Sequence, residues 1–190
     1  MNSYRRSIGL AALFCTTGLT ACVPSSGDQE VDLGGAERIR VENTGGGITL
    51  VGGSVADTVF LTYEVHSDSG KASVADVELI AGLSGDEFLV EALTDGPEVW
   101  VDIAVGMPTA LPWAVRTATG DVFLESLSGG GQVLTNSGFV SGGGLRGDLA
   151  LLATTSEVSL QMEVTEQADI LVDLEFGSMS LELPTPTHAL

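Results

Sequence analysis

The sequence predicts an all-β protein, a single-domain β-helix (β-solenoid) of short strands with a more irregular β-rich N-terminal half. The turn residues Gly120, Gly138, Ser156 and Gly177 recur at spacings of 18, 18 and 21, and a fixed period near 20 residues is typical of stacked repeats. Within each repeat apolar and polar residues alternate, as in a strand with one buried face. The 25 glycines, with many Val, Leu, Thr and Ser residues, favour strands and tight turns.

Two columns of apolar residues stand at fixed offsets from these turns. One lies five positions before each turn and the other two positions after it, so stacked strands about 4.8 Å apart would bring like residues together. The columns are Val115, Val133, Leu151 and Val172, then Val122, Val140, Val158 and Met179. The same offsets surround Gly46, which is therefore predicted to be a turn residue as well, ahead of the regular coils expected over 113–184.

The folded domain is predicted to span residues 36–184. Apolar runs predict strands in its N-terminal half at Val59–Val65, Val77–Ile80, Phe88–Ala92 and Val99–Val105. A sandwich-like or bulged arrangement of these strands is an alternative to regular coils. Pro184 and Pro186 lack a backbone donor and are expected to end strand pairing, which leaves residues 185–190 as a tail.

Residues 1–21 have the pattern of a secretory signal peptide, with Arg5 and Arg6 ahead of an apolar stretch too short to span a membrane. Leu19-Thr20-Ala21-Cys22 resembles the lipobox of bacterial lipoproteins, which implies cleavage before Cys22 and lipid attachment to its thiol. Val23, where inner-membrane lipoproteins have Asp, implies sorting to the outer membrane. An ordinary secretory signal is the alternative. Residues 22–35 are predicted to be a lipidated flexible tether.

The protein after the signal peptide is strongly acidic. Arg5 and Arg6 leave five basic residues against 26 acidic ones, a net charge of −21. Such a surface repels phosphates, so nucleic acid is excluded as a partner. The charge is expected to keep a monomeric, repetitive β protein soluble and to discourage edge-to-edge pairing. Binding of cations or of a cationic partner is the alternative.

Thiol chemistry and metal binding have little support in the sequence. Cys15 leaves with the signal peptide and Cys22 is lipidated, so no thiol remains for a disulfide, a metal or a nucleophile. Asp169, Asp173 and Glu175 alternate along one strand and are interpreted as a solvated face, with a weak divalent-cation site as the alternative. We therefore expect neither a metal nor a cofactor.

Other short motifs are interpreted structurally. His66 and His188 are too few for a multi-histidine site, and no Gly-x-Ser-x-Gly, His-Glu-x-x-His or Walker motif occurs. Arg146-Gly147-Asp148 matches the integrin-binding tripeptide, but its glycine belongs to the repeat. Trp100 and Trp113 are expected to cover an open end of the core, with a glycan- or protein-binding surface as the alternative.

One stretch resembles a known family. The segments Val101-Asp-Ile-Ala-Val-Gly-Met-Pro and Val115-Arg-Thr-Ala-Thr-Gly-Asp-Val-Phe-Leu, followed by Leu127-Ser-Gly, resemble the putative-adhesin domain family of bacteria, whose function is unknown. The likeness covers about residues 39–183. It implies turn or structural roles for Gly120, Asp121, Gly138 and Gly177.

These features predict a non-catalytic lipoprotein of the bacterial envelope, anchored in the outer membrane by its lipid. The leading hypothesis is an adhesin-like binding or structural module whose ligand is a protein or a glycan. The alternative is a periplasmic accessory or regulatory protein that binds an envelope partner. A polysaccharide-active enzyme is disfavoured because such sites cluster basic residues, whereas Lys71, Arg116 and Arg146 are far apart in the sequence.

Overall fold

The computed structural model describes residues 26–53, 57–68, 77–94, 98–163 and 168–183. Strands make up 77% of these residues and no helix occurs among them, which confirms the all-β class. The strands are β1 (Ser26–Asp32), β2 (Arg38–Gly45), β3 (Ile48–Gly52), β4 (Thr58–Ser67), β5 (Val77–Ser84), β6 (Glu87–Thr94), β7 (Val99–Met107), β8 (Trp113–Thr119), β9 (Val122–Glu125), β10 (Gly131–Leu145), β11 (Leu149–Met162) and β12 (Ile170–Glu182). In the described part of the chain, no helix has the length and hydropathy to cross a bilayer.

The twelve strands form one sheet in the order β1-β4-β7-β3-β9-β10-β8-β2-β6-β5, and β11 and β12 extend it beyond β10. The long strand β10 joins two parts of this sheet, because residues 131–137 pair with β8 and residues 140–143 pair with β9. We call the part containing β4, β7, β3 and β9 the front segment and the part containing β6, β2 and β8 the back segment. The inward residues of both segments form one core.

The regular stacking that the turn spacing predicts is present in β8 to β12. Val133 pairs with Val115 on one side and with Leu151 on the other, and Leu151 pairs in turn with Val172. The second column pairs in the same way through Val122, Val140, Val158 and Met179. All of these strands are parallel, and the turn spacings of 18, 18 and 21 residues predict their register.

The β-solenoid itself is not confirmed, because the sheet is nearly closed and barrel-like. Antiparallel pairs extend the sheet at both ends: β4 pairs with β7 and β1 at one end, and β5 pairs with β6 at the other. Strands twist relative to their neighbours, so a wide sheet curls around its own core. The irregular N-terminal half predicted from the sequence is thus the part that brings the sheet close to closure.

The tether predicted for residues 22–35 is wrong for its described portion. Ser26–Asp32 forms β1 and pairs with β4 along its whole length, and Leu33 is buried. Val31 packs partly against the core, so alternating apolar residues in an acidic, glycine-rich segment are sufficient to add an edge strand. Cys22, the signal peptide and the tail at 185–190 lie outside the described residues.

The four strands predicted in the N-terminal half are all found, within β4, β5, β6 and β7. Their inward residues include Leu61, Val90 and Ile103, each at most 1% exposed. At the other end of the sheet, Leu171 and Phe176 on β12 are 60% and 63% exposed. Among the described residues no strand pairs with the outer edge of β12.

Candidate functional site

A row of glycines follows the turn positions of the repeat. Gly46 and Gly120 lie between strands, at the turns from β2 to β3 and from β8 to β9, whereas Gly138 and Gly177 lie within the continuous strands β10 and β12. Gly46, Gly120, Gly138 and Gly177 have φ angles of 102°, 141°, 131° and 136°. A Cβ atom on Gly120 would overlap the carbonyl oxygen of Gly46, and one on Gly138 would overlap that of Gly120. Successive turns therefore stack backbone against backbone, and both the φ angle and this contact require glycine. Ser156 occupies the same row without a positive φ angle.

Aspartates connect neighbouring turns on the front segment. The Asp121 carboxylate accepts a hydrogen bond from the Phe139 backbone N–H at 2.8 Å, and the Asp102 carboxylate accepts one from the Gly47 N–H at 2.7 Å. Each carboxylate thus satisfies a donor of the adjacent turn. Asp121 thus connects β9 to the backbone of β10. Asp102 has the same role on β7, which the sequence pattern did not identify.

His66 belongs to an aromatic and charged cluster on the outer face of the front segment. Its ring stacks on Trp100 with 5.6 Å between the centroids and 17° between the planes. Its Nε2 lies 2.9 Å from Oδ2 of Asp102. The register of β4 and β7 places His66 opposite Trp100 and Glu64 opposite Asp102. Trp100 therefore lies on the outside of the sheet beside His66 and does not close the core.

A concave region begins at this cluster, with a volume of about 520 Å³. We call it the aromatic–acidic cleft, because Trp100 and Phe123 line it together with the carboxylates of Glu64, Asp102 and Asp121. The other residues that line it are Gly46, Gly47, Thr49, Thr62, Tyr63, Ile103, Ala104 and Gly120. The cleft offers aromatic surface beside hydrogen-bond acceptors.

A second concave region of about 540 Å³ lies on the other side of Phe123. We call it the hydroxyl cleft, because small polar residues and glycines form most of its lining. Glu125 is the single acidic residue among the described residues that line it. Its other lining residues are Thr49, Phe123, Leu124, Ser126, Ser141, Gly142, Gly143, Gly144, Ser159 and Gln161. Thr49 and Phe123 line both clefts, so the two regions are adjacent.

The other residues singled out in the sequence are not brought together into a site. In the described part of the chain, no group of three or more His, Cys, Asp or Glu residues is arranged to hold a metal ion. Arg146 pairs with Glu163 and the Asp148 carboxylate accepts a hydrogen bond from the Asp169 N–H at 2.9 Å. The tripeptide at 146–148 therefore holds neighbouring loops. Trp113 is buried with its ring over Gly131, as expected for a residue that covers the core.

Comparisons with known proteins add a fold likeness. No protein-family model and no curated protein matches the sequence. The fold is similar to the crystal structure of a putative cell adhesion protein from Clostridium sporogenes, with a TM-score of 0.56 and 9% identity over 84% of this chain and 99% of that chain. A putative adhesin from Parabacteroides merdae matches 85% of this chain and 97% of its own with a TM-score of 0.25 and 6% identity. The likeness to the clostridial protein shows a shared fold.

Proposed function

We propose that this protein is a non-catalytic lipoprotein of the bacterial envelope whose β domain is an adhesin-like binding module. The observation that carries the proposal is the shared fold with the clostridial protein described as a putative cell adhesion protein, over 99% of that protein's chain. The adjacent clefts on the front segment supply a concave surface of the kind that binding requires.

The proposed anchor is a lipid on Cys22 in the outer membrane. The lipobox-like Leu19-Thr20-Ala21-Cys22 sequence and Val23 support it, and several acyl chains on one residue give stable membrane attachment. β1 starts at Ser26, only a few residues after the proposed anchor. The domain would therefore be held close to the bilayer, on a tether much shorter than the one predicted from the sequence.

The test is protease shaving of intact cells that express the protein, with a Cys22→Ser variant as the control for anchoring. We expect the wild-type band to disappear while a periplasmic marker stays intact, and the variant to leave the membrane fraction. Protection of the wild-type band until the outer membrane is permeabilised would refute the adhesin proposal. That result would favour the periplasmic accessory protein, whose partner could then be captured by cross-linking in the envelope.

A further inference from the structure

The two clefts lie along one row of residues that crosses the front segment and continues onto β10, β11 and β12. Paired residues on successive strands place Thr62, Ala104, Thr49, Phe123, Ser141, Ser159 and Ser180 side by side. With about 4.8 Å between neighbouring strands, this row of seven residues is ~29 Å long. The six members from Thr62 to Ser159 line the two clefts, and every one of them except Phe123 is small. This part of the row, ~24 Å long, forms the floor of an elongated depression, which we call the trough.

Phe123 is placed at the centre of the trough and faces solvent. Its neighbours Val122 and Leu124 are buried, while Phe123 itself is 43% exposed. The Phe139 ring packs beside it with 6.4 Å between the centroids and a tilt of 60°. An exposed phenylalanine supported by a second ring has no role in the core, and any occupant of both clefts must pass over it.

The lining of the trough has the chemistry of a sugar-binding surface. A pyranose ring presents a face of C–H groups and a rim of hydroxyls; the C–H face packs on the electron-rich face of an aromatic ring. The hydroxyls hydrogen-bond to carboxylates, amides and other hydroxyls, which Asp121, Ser141, Ser159 and Gln161 supply along the trough. Each cleft has a volume within the range of about 300–1,000 Å³ that is typical of small-molecule sites.

The charges of the trough disfavour an anionic ligand. Among the described residues that line it there is no Lys or Arg, and four carboxylates are present, which would repel an anionic glycan. Three arginines form ion pairs away from the trough. Arg38 and Arg40 pair with Glu87, and Arg146 pairs with Glu163. A basic peptide would need acidic residues along its whole length, but the hydroxyl cleft offers only Glu125.

We propose that the trough binds a linear neutral oligosaccharide, with Phe123 as the platform on which a sugar ring stacks. This inference rests on the proposed adhesin-like function and names the class of its ligand. A chain of several sugar rings spans both clefts, whereas a disaccharide fills only one of them.

The test is isothermal titration calorimetry with the purified full chain in a detergent that lacks a sugar headgroup. The probes are cellohexaose, maltohexaose and chitohexaose, the disaccharide of each, hexagalacturonate as an anionic sugar and hexalysine as a cationic peptide. We expect at least one neutral hexasaccharide to bind, more tightly than its disaccharide. The intrinsic fluorescence should change with it, because Trp100 is one of only two tryptophans and lines the trough.

Phe123→Ala and Phe176→Ala form a matched pair of variants, because both rings are exposed and only the first lies in the trough. We expect Phe123→Ala to raise the Kd about tenfold, equivalent to about 1.4 kcal/mol, and Phe176→Ala to leave it within about twofold of the wild-type value. The proposal is overturned if no neutral hexasaccharide binds, if hexagalacturonate or hexalysine binds better, or if both variants lose affinity equally.

If no glycan binds in the calorimeter, the adhesin-like function can still be tested by protease shaving. Calorimetry examines the purified protein, whereas protease shaving examines where the domain is displayed. Surface display without glycan binding would refute the ligand class alone. Glycan binding by a domain that is protected in intact cells would refute the adhesin proposal and retain the trough.

Discussion

Replacing Gly138 with alanine should destabilise the fold strongly, because two independent constraints act at this position. Its φ angle of 131° is rarely adopted by residues with a side chain, and holding alanine in such a conformation costs about 1–3 kcal/mol. A Cβ atom would also overlap the backbone carbonyl of Gly120. Backbone cannot rotate aside as a side chain does, so this overlap should add about 1–3 kcal/mol of overpacking.

Gly53→Ala is the matched control. Gly53 has a similar φ angle of 135°, but nothing lies within 4 Å of the position that a Cβ atom would take. The control variant therefore has the same kind of backbone strain but no overlap between Cβ and a neighbouring backbone. Both variants also reduce the chain entropy of the unfolded state, so this effect cancels in the comparison. The difference between the two variants measures the contact between stacked turns.

The assay is thermal unfolding of the full-chain variants, followed by circular dichroism. For a chain of this length, each 1 kcal/mol lowers Tm by about 2–4 °C. Gly138→Ala should therefore unfold about 2–12 °C below Gly53→Ala. Equal Tm values would refute the backbone-on-backbone stacking of the turns, whatever the absolute loss in either variant.

Three further tests use urea unfolding of single-residue variants to examine hydrogen bonding and packing in the domain. Asp121→Ala should lower the free energy of unfolding by about 0.5–1.5 kcal/mol, because the Phe139 N–H loses its acceptor. Asp121→Asn keeps an acceptor oxygen at this position and is the control. If both variants lost the same stability, this hydrogen bond would not be the reason that Asp121 stabilises the fold. Leu127 is fully buried, so Leu127→Ala should lower the free energy of unfolding by about 2–5 kcal/mol. Leu134 is partly exposed, so the control Leu134→Ala should lower it by less than about 1 kcal/mol. Similar losses in the two variants would place Leu127 outside the core. Ser156→Ala should be neutral or stabilising by about 1 kcal/mol, because the buried Ser156 hydroxyl has no hydrogen-bond partner among the described residues, and a clear loss of stability would reveal one.

Apart from β1, the local sequence pattern was sufficient to predict the strands and the parallel stacking of β8 to β12. Glycine is required where the φ angle is positive and a neighbouring turn is in contact, so the recurrence of Gly120 and Gly138 reports the register directly. The alternation of buried and exposed residues in β9 likewise places Phe123 outside between Val122 and Leu124. These features depend on neighbours within one or two repeats.

The candidate site could not be predicted from the sequence, because it depends on contacts between strands that are far apart along the chain. No local sequence pattern encodes such contacts. His66 meets Trp100 only because β4 and β7 pair antiparallel in one register, 34 positions apart in sequence. The same long-range pairs make the sheet barrel-like instead of a simple solenoid. β1 was missed because Val31 and Leu33 are isolated among glycines and carboxylates, and only their burial against other strands distinguishes them from a tether.

The parallel strands β10 to β12 have a consequence for how the molecule changes length. Apart from a register shift between Gly142 and Leu145, each of these strands is in register with its predecessor and contributes one residue to each column. The interface between successive units is therefore similar at every step. Duplication or deletion of one unit of about 18 residues would therefore lengthen or shorten the sheet at its β12 end without altering the pairings before it. The width of the sheet can therefore change in evolution by whole strands, while Phe123 and the two strands beside it stay unchanged.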